Sequence, residues 1–192
     1  MARHSARGAG RCETASIATP EQIEIRRLGA DEIRAQLDGL AAVLHDCVEG
    51  GASVSYMAPF SQADARGAFE NWALEVEQGR RLVVAAFAGG ALVGTVQVIL
   101  ALPPNQPHRG EIAKLLVRRS ARRLGIAQRL MEQAEAEARA EGKTLLVLDT
   151  VTGDDAERLY ERLGWTRVGA IPGYALYPDG RPCSTTIFFK VL

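Results

Sequence analysis

The longest apolar run of the chain, Leu82 to Ala88, is followed by Gly89-Gly90 and a second mostly apolar stretch, Leu92 to Leu100. Runs without alternation suit strands buried on both faces, and paired glycines supply a hairpin turn. The flanking elements follow other periods. Ile23 and Ile25 mark one face of a short strand beginning at Glu21. Ile33, Leu37, Leu40, Val43 and Leu44 recur at helical spacing, which predicts one amphipathic helix from Asp31 to about Glu49, stopped by Gly50-Gly51. After a polar and aromatic loop, Ser61 is a good N-cap for a second helix carrying Ala65, Phe69, Trp72 and Val76 and ending at Gly79.

Beyond the hairpin, Pro103, Pro104 and Pro107 impose a loop. A strand over 111–117, a helix over 123–141, a strand over 144–150 and a helix from Asp154 or Asp155 to just before Gly164 follow. Two late strands, 165–169 and 185–191, flank a Pro/Gly-rich loop holding Tyr174 and Tyr177. On the helix over 123–141, Ala127, Leu130, Met131, Ala134 and Ala138 form the apolar stripe. Arg129, Glu132, Glu135 and Arg139 fall outside it, on the surface. The strand–helix–strand step from 111 to 149 predicts a parallel pair, and the earlier hairpin makes the sheet mixed. The expected fold is mixed α/β, with one domain over 20–192 and a disordered tail over 1–19.

Four arginines, Arg118, Arg119, Arg122 and Arg123, crowd the predicted start of the 123–141 helix. That is the wrong charge for a helix N-terminus, whose unpaired N–H groups favour anions by ~0.3–1 kcal/mol per charge. A bound phosphate reverses the penalty, and Gly125 lets backbone approach it closely. The alternative is a solvated basic turn. Gly89 to Thr95 is no Walker loop, because the lysine before Thr95 is missing.

Composition narrows the partners. Lys+Arg and Asp+Glu both total 23 in 192 residues, so net charge argues for neither nucleic acid nor an anionic membrane. No apolar stretch is long enough for a bilayer span, and the N-terminus has no secretory apolar core, so a cytoplasmic protein is expected. Cys12, Cys47 and Cys183 are scattered, which predicts no disulfide framework and no metal site. His45, Asp46 and Cys47 are adjacent and would point in different directions on a helix.

Arg122-x-x-Gly125-x-Ala127 after a strand resembles the pyrophosphate-binding signature of the GNAT acetyltransferase superfamily. The resemblance implies the GNAT fold: a mixed, mostly antiparallel twisted sheet of about seven strands with helices on both faces. It implies acetyl-CoA as co-substrate, with the backbone of Arg123, Leu124, Gly125, Ile126 and Ala127 on its pyrophosphate and Leu115 and Val117 on its pantetheine arm. The segment 156–165 is similar to a second GNAT motif and puts Tyr160 where the family carries its general acid. Gly153 stands where the family often has an asparagine, so one usual cofactor contact is missing.

Glu111 stands eleven residues before Arg122, the spacing of the catalytic glutamate in histone acetyltransferases of the superfamily. On a regular strand it would share a face with Ala113, Leu115 and Val117. Asp149 ends a strand at the sheet's carboxyl edge, where an acid can anchor an ammonium or act as base. Regular strands would put Glu111 and Asp149 at opposite ends of a parallel pair.

Residues 50–57, Glu111-x-x-Lys114-Leu115, Leu148-Asp149-Thr150, the stretch 167–174 and Pro178-Asp179-Gly180 resemble the tabtoxin resistance acetyltransferases, which detoxify a β-lactam amino acid. In them the positions matching Glu111, Asp149 and Tyr160 are implicated in catalysis. The resemblance implies a small-molecule acceptor beside Ser53, Tyr56 and Tyr174, and a homodimer is a common state of relatives. Competing readings are a non-catalytic acetyl-CoA-binding module, a protein N-acetyltransferase, and a nucleic-acid binder using the arginine cluster.

Overall fold

The computed structural model describes residues 23–192; the expected tail over 1–19 and the strand start at Glu21 lie outside them. The chain runs β1 (Ile23–Leu28), α1 (Ala30–Ala35), α2 (Leu37–Glu49), α3 (Gln62–Glu77), β2 (Arg81–Ala88), β3 (Ala91–Ile99), β4 (Arg109–Val117), α4 (Ile126–Ala140), β5 (Leu145–Val151), α5 (Asp155–Arg162), β6 (Thr166–Leu176) and β7 (Pro182–Val191). The strands form one seven-stranded sheet in the order β1-β2-β3-β4-β5-β7-β6. Every neighbouring pair is antiparallel except β4–β5.

Helices cover both faces. Ile33, Leu40, Leu44, Phe69 and Ala73 of α1–α3 pack with Val83, Ala85 and Phe87 on one side. Ile126, Leu130, Met131 and Ala134 of α4 and Tyr160 of α5 pack with Leu82, Val84, Val96, Val98, Leu146 and Leu148 on the other. This explains why β2 is buried on both faces and lacks alternation.

Three expectations change. The helix over 31–49 is two helices, broken at Gln36, whose φ of −106° and ψ of 15° leave the helical region. The expected loop holding Tyr174 is strand: β6 runs to Leu176, with register shifts between Arg167 and Gly169 and between Ile171 and Ala175 that absorb Pro172 and Gly173. The helix over 123–141 starts later, at Ile126, because Arg123 and Gly125 have φ of 65° and 74°. Ser61 caps α3 as expected, accepting from the Asp64 N–H at 3.1 Å while Asp64 accepts from the Ser61 N–H.

Glu135 is also not on the surface; it is 6% exposed. Its carboxylate accepts from Trp165 Nε1 at 3.0 Å and Lys190 Nζ at 2.7 Å, partners from β7 and the β6 approach that sequence periodicity cannot see.

Candidate active site

β4 and β5 pair only over Arg109–Glu111 and Leu145–Val147, then diverge. The gap between them opens into a cleft of about 1040 Å³, lined by 112–117 of β4, 149–151 of β5, the loop 52–57, the N-terminal end of α4, the α5 segment and Tyr174 of β6.

At one end the α4 helix begins with Gly125 as N-cap in the left-handed region. Gly125 has no side chain to cap with, no acid stands in the first turn, and the first helical bond is Arg129 N–H to Gly125 O at 3.2 Å. The N–H groups of Ile126, Ala127 and Gln128 therefore have no partner within the helix. Gly125, Ile126, Ala127, Arg122 and Arg123 line the cleft. Leu124 does not; its side chain packs on the α4 side of the core. Arg119 is also turned elsewhere: Asp46 of α2 accepts its backbone N–H at 2.8 Å and its Nε at 2.9 Å. The residues present fit a pyrophosphate, because a helix start with unpaired amides, no acid and two guanidiniums at the rim is complementary to an anion.

The cleft wall from β4 carries a bulge. Gln97 lies opposite Ala113, but Thr95 lies opposite Leu116, so β4 holds one extra residue there, and Lys114 takes φ 52°. The bulge inverts the strand's faces. Ile112 packs with the α4 core together with Leu115 and Val117, whereas Leu116 packs with the α1–α3 core. Glu111 alternates with Ile112, so it does not share a face with Leu115 and Val117, contrary to expectation. Arg118 donates to Val93 O at 2.9 Å, so the N–H and C=O of Val117 turn away from β3 towards the gap. The Val117 carbonyl already accepts from Arg122 Nε at 3.3 Å.

Glu111 stands opposite Val147 rather than at the far end from Asp149, because the parallel ladder is staggered. Asp149 is two positions beyond Val147 and shares its face. Glu111 is not among the cleft-lining residues, and Arg109 Nη1 lies 3.8 Å from its carboxylate. Asp149 and Tyr160 both line the cleft. Tyr160 is 5% exposed, packed against Trp165 and Phe188, and burial, helped by the charge of Asp149, pushes its hydroxyl well above the usual tyrosine range. Tyr160 thus packs as a core aromatic while lining the cleft.

Ser53, Tyr56 and Tyr174 also line the cleft, and Ser53 Oγ donates to Leu176 O at 2.7 Å, tying the 52–57 loop to β6. Lys114 was not singled out as a site residue, yet it lines the cleft too. Its signal was present in the Glu-x-x-Lys spacing, but only the bulge turns it inward. Among the described residues no three His, Cys, Asp or Glu side chains converge as a metal site would need, and no helix is long and apolar enough to cross a membrane.

The model of the acetyltransferase (GNAT) family matches residues 49–165, which hold the bulge, the Arg122–Ala127 turn and Tyr160. The chain belongs to the GNAT acetyltransferase family. Solved structures share the fold. A ribosomal-protein-alanine N-acetyltransferase from Brucella melitensis is 23% identical, with TM-score 0.74 over 88% of this chain and 99% of that one. A GCN5-related N-acetyltransferase from Kribbella flavida is 18% identical, with TM-score 0.74 over 91% and 100%. A phosphinothricin acetyltransferase from Sinorhizobium meliloti, solved in complex with acetyl-CoA, is 17% identical, with TM-score 0.71 over 89% of each chain.

Proposed function

We propose that this GNAT protein transfers the acetyl group of acetyl-CoA to an amine or hydroxyl of a small molecule, in the manner of a detoxifying enzyme acting on an amino-acid-like compound. The observation that carries the reading is a single cleft running from an uncapped, arginine-rimmed helix start to a buried tyrosine beside an aspartate. The acetyl-CoA-bound phosphinothricin acetyltransferase, which has the same fold, supports acetyl-CoA as co-substrate.

Bound there, acetyl-CoA supplies an activated acetyl thioester. The first-turn N–H groups of α4, with Arg122 and Arg123, would hold its pyrophosphate. Leu115 and the Val117 backbone would border its pantetheine arm. Tyr160 stays protonated at neutral pH, so its hydroxyl is suited to donate a proton to a leaving thiolate. Asp149, exposed in the same cleft, would take the proton from the acceptor or hold its ammonium. Glu111 would act behind it, on the same sheet face.

The test is coenzyme A release on a panel of amino acids, β-lactam amino acids, aminoglycosides and peptides. Acetylation of a small acceptor with acetyl-CoA bound in this cleft is expected. Acetyl-CoA binding without any acetylated acceptor would favour a non-catalytic module, and reaction confined to peptide N-termini would favour a protein N-acetyltransferase.

A further inference from the structure

Lys114 sits in a place that costs backbone energy. Its φ of 52° is the left-handed region that a long side chain rarely adopts. Its Nζ donates to Ser55 Oγ at 3.0 Å, and Ser55 is itself at φ 76°. The ring of Tyr56 lies 5.9 Å from the same ammonium. Two non-glycine residues in disfavoured conformations are thus joined across the cleft, an arrangement that persists where its surroundings enforce it and that clusters at ligand sites.

The partners of this ammonium are a hydroxyl and a ring, not a carboxylate. Among the described residues Lys114 makes no ion pair, although it feels the charges of Asp149 and Glu111. Asp149, in the same cleft, makes no ion pair among the described residues either. Several buried or half-buried charges elsewhere do have charged partners: Arg81 with Glu75, Glu135 with Lys190, Asp46 with Arg119. A cleft that holds a half-buried ammonium without a carboxylate on it, and an exposed carboxylate beside it, is complementary to a molecule carrying both charges.

We propose that Lys114 is the residue that recognises an acid group on the acceptor, so that the substrate is a small zwitterion. The acceptor's carboxylate or other acid lies on Lys114, and its amine lies toward Asp149. The inference rests on the acetyl-transfer reading above and adds the chemical class and the residue that selects it. An anion on Lys114 could also be a phosphate of acetyl-CoA. Lys114 lies three residues before Val117, at most about 10 Å along the bulged strand, and the arginine-rimmed helix start lies beyond that. The position therefore favours the acceptor.

The experiment compares an amino acid with its carboxamide and methyl ester, using coenzyme A release for turnover and calorimetry for acetyl-CoA binding. In the parent protein the acid should be used far better than its neutral derivatives. Lys114→Met should raise KM for the acid about tenfold to a hundredfold, leave KM for the amide unchanged, and leave acetyl-CoA affinity intact. Lys114→Arg should recover part of the loss. Equal use of acid and amide overturns the proposal while acetyl transfer stands, and so does a Lys114→Met variant with weakened acetyl-CoA binding and an unaltered acid preference. Failure of every zwitterionic acceptor with acetyl-CoA bound overturns it as well. Absence of acetyl-CoA binding in the parent removes the acetyl-transfer reading and this proposal together.

Discussion

Asp46 of α2 grips Arg119 twice, through the backbone N–H at 2.8 Å and the guanidinium Nε at 2.9 Å. The contact spans the 3-10 turn Arg119–Ala121 that leads into the α4 start, so a helix on one face of the sheet orients the turn serving the other. Burial pushes the Asp46 carboxyl up, but the hydrogen bonds from Arg119 outweigh it and hold the group below its ordinary value.

Asp46→Asn should therefore cost about 1 kcal/mol of stability, a figure reduced by the exposure of Arg119, and should weaken acetyl-CoA binding several-fold by loosening the turn. The sign with pH follows from a depressed carboxyl. Its stabilisation is full above the unfolded value of about 3.9 and is lost as pH falls through the lower folded value. Denaturant unfolding of both proteins should give a gap that is constant near neutrality and closes in acid.

Tyr160→Phe removes one hydroxyl from a ring whose packing against Trp165 and Phe188 remains. Turnover should fall about a hundredfold, with acetyl-CoA affinity unchanged. Because burial raises the hydroxyl's pKa, the parent enzyme should not lose this acid as pH rises to about 10, the ordinary tyrosine value. A steady-state pH profile beside calorimetry checks both points; a variant with parental turnover would remove Tyr160 from the chemistry.

Asp149 lines the cleft, whereas Glu111 does not and has Arg109 nearby. Asp149→Asn should lower kcat more than Glu111→Gln does, by about tenfold or more. The reverse ranking in the same assay would assign proton removal to Glu111.

Glu135→Ala should destabilise the fold by about 1–3 kcal/mol, because it leaves the buried Trp165 N–H unpaired and the half-buried Lys190 ammonium with only the Leu163 carbonyl. Thermal unfolding reads this directly. Retained acetyl-CoA affinity in the folded fraction would confirm that the triad is structural.

The strands and helices were legible where local chemistry decides them. Ser61 announced α3, Gly89-Gly90 announced the β2–β3 hairpin, and the apolar stripe of α4 appeared at its period, because caps, turns and amphipathic faces are written within a few residues. The arginine-rich turn was legible for the same reason, as a cluster of like charges just before a helix start. Gln36 was missed as a break because the apolar spacing continues smoothly across it.

By itself the sequence determined the order of the strands, the helices from α3 onward and the Arg122–Ala127 turn, and the family resemblance pointed to Tyr160, which lines the cleft with Asp149. Tertiary structure decided the rest. One extra residue in β4 inverted the faces after Ala113, withdrew Glu111 from the face of Leu115 and Val117, and aimed Lys114 into the cleft. A bulge depends on how two strands pair, and pairing between distant segments leaves no local period to read.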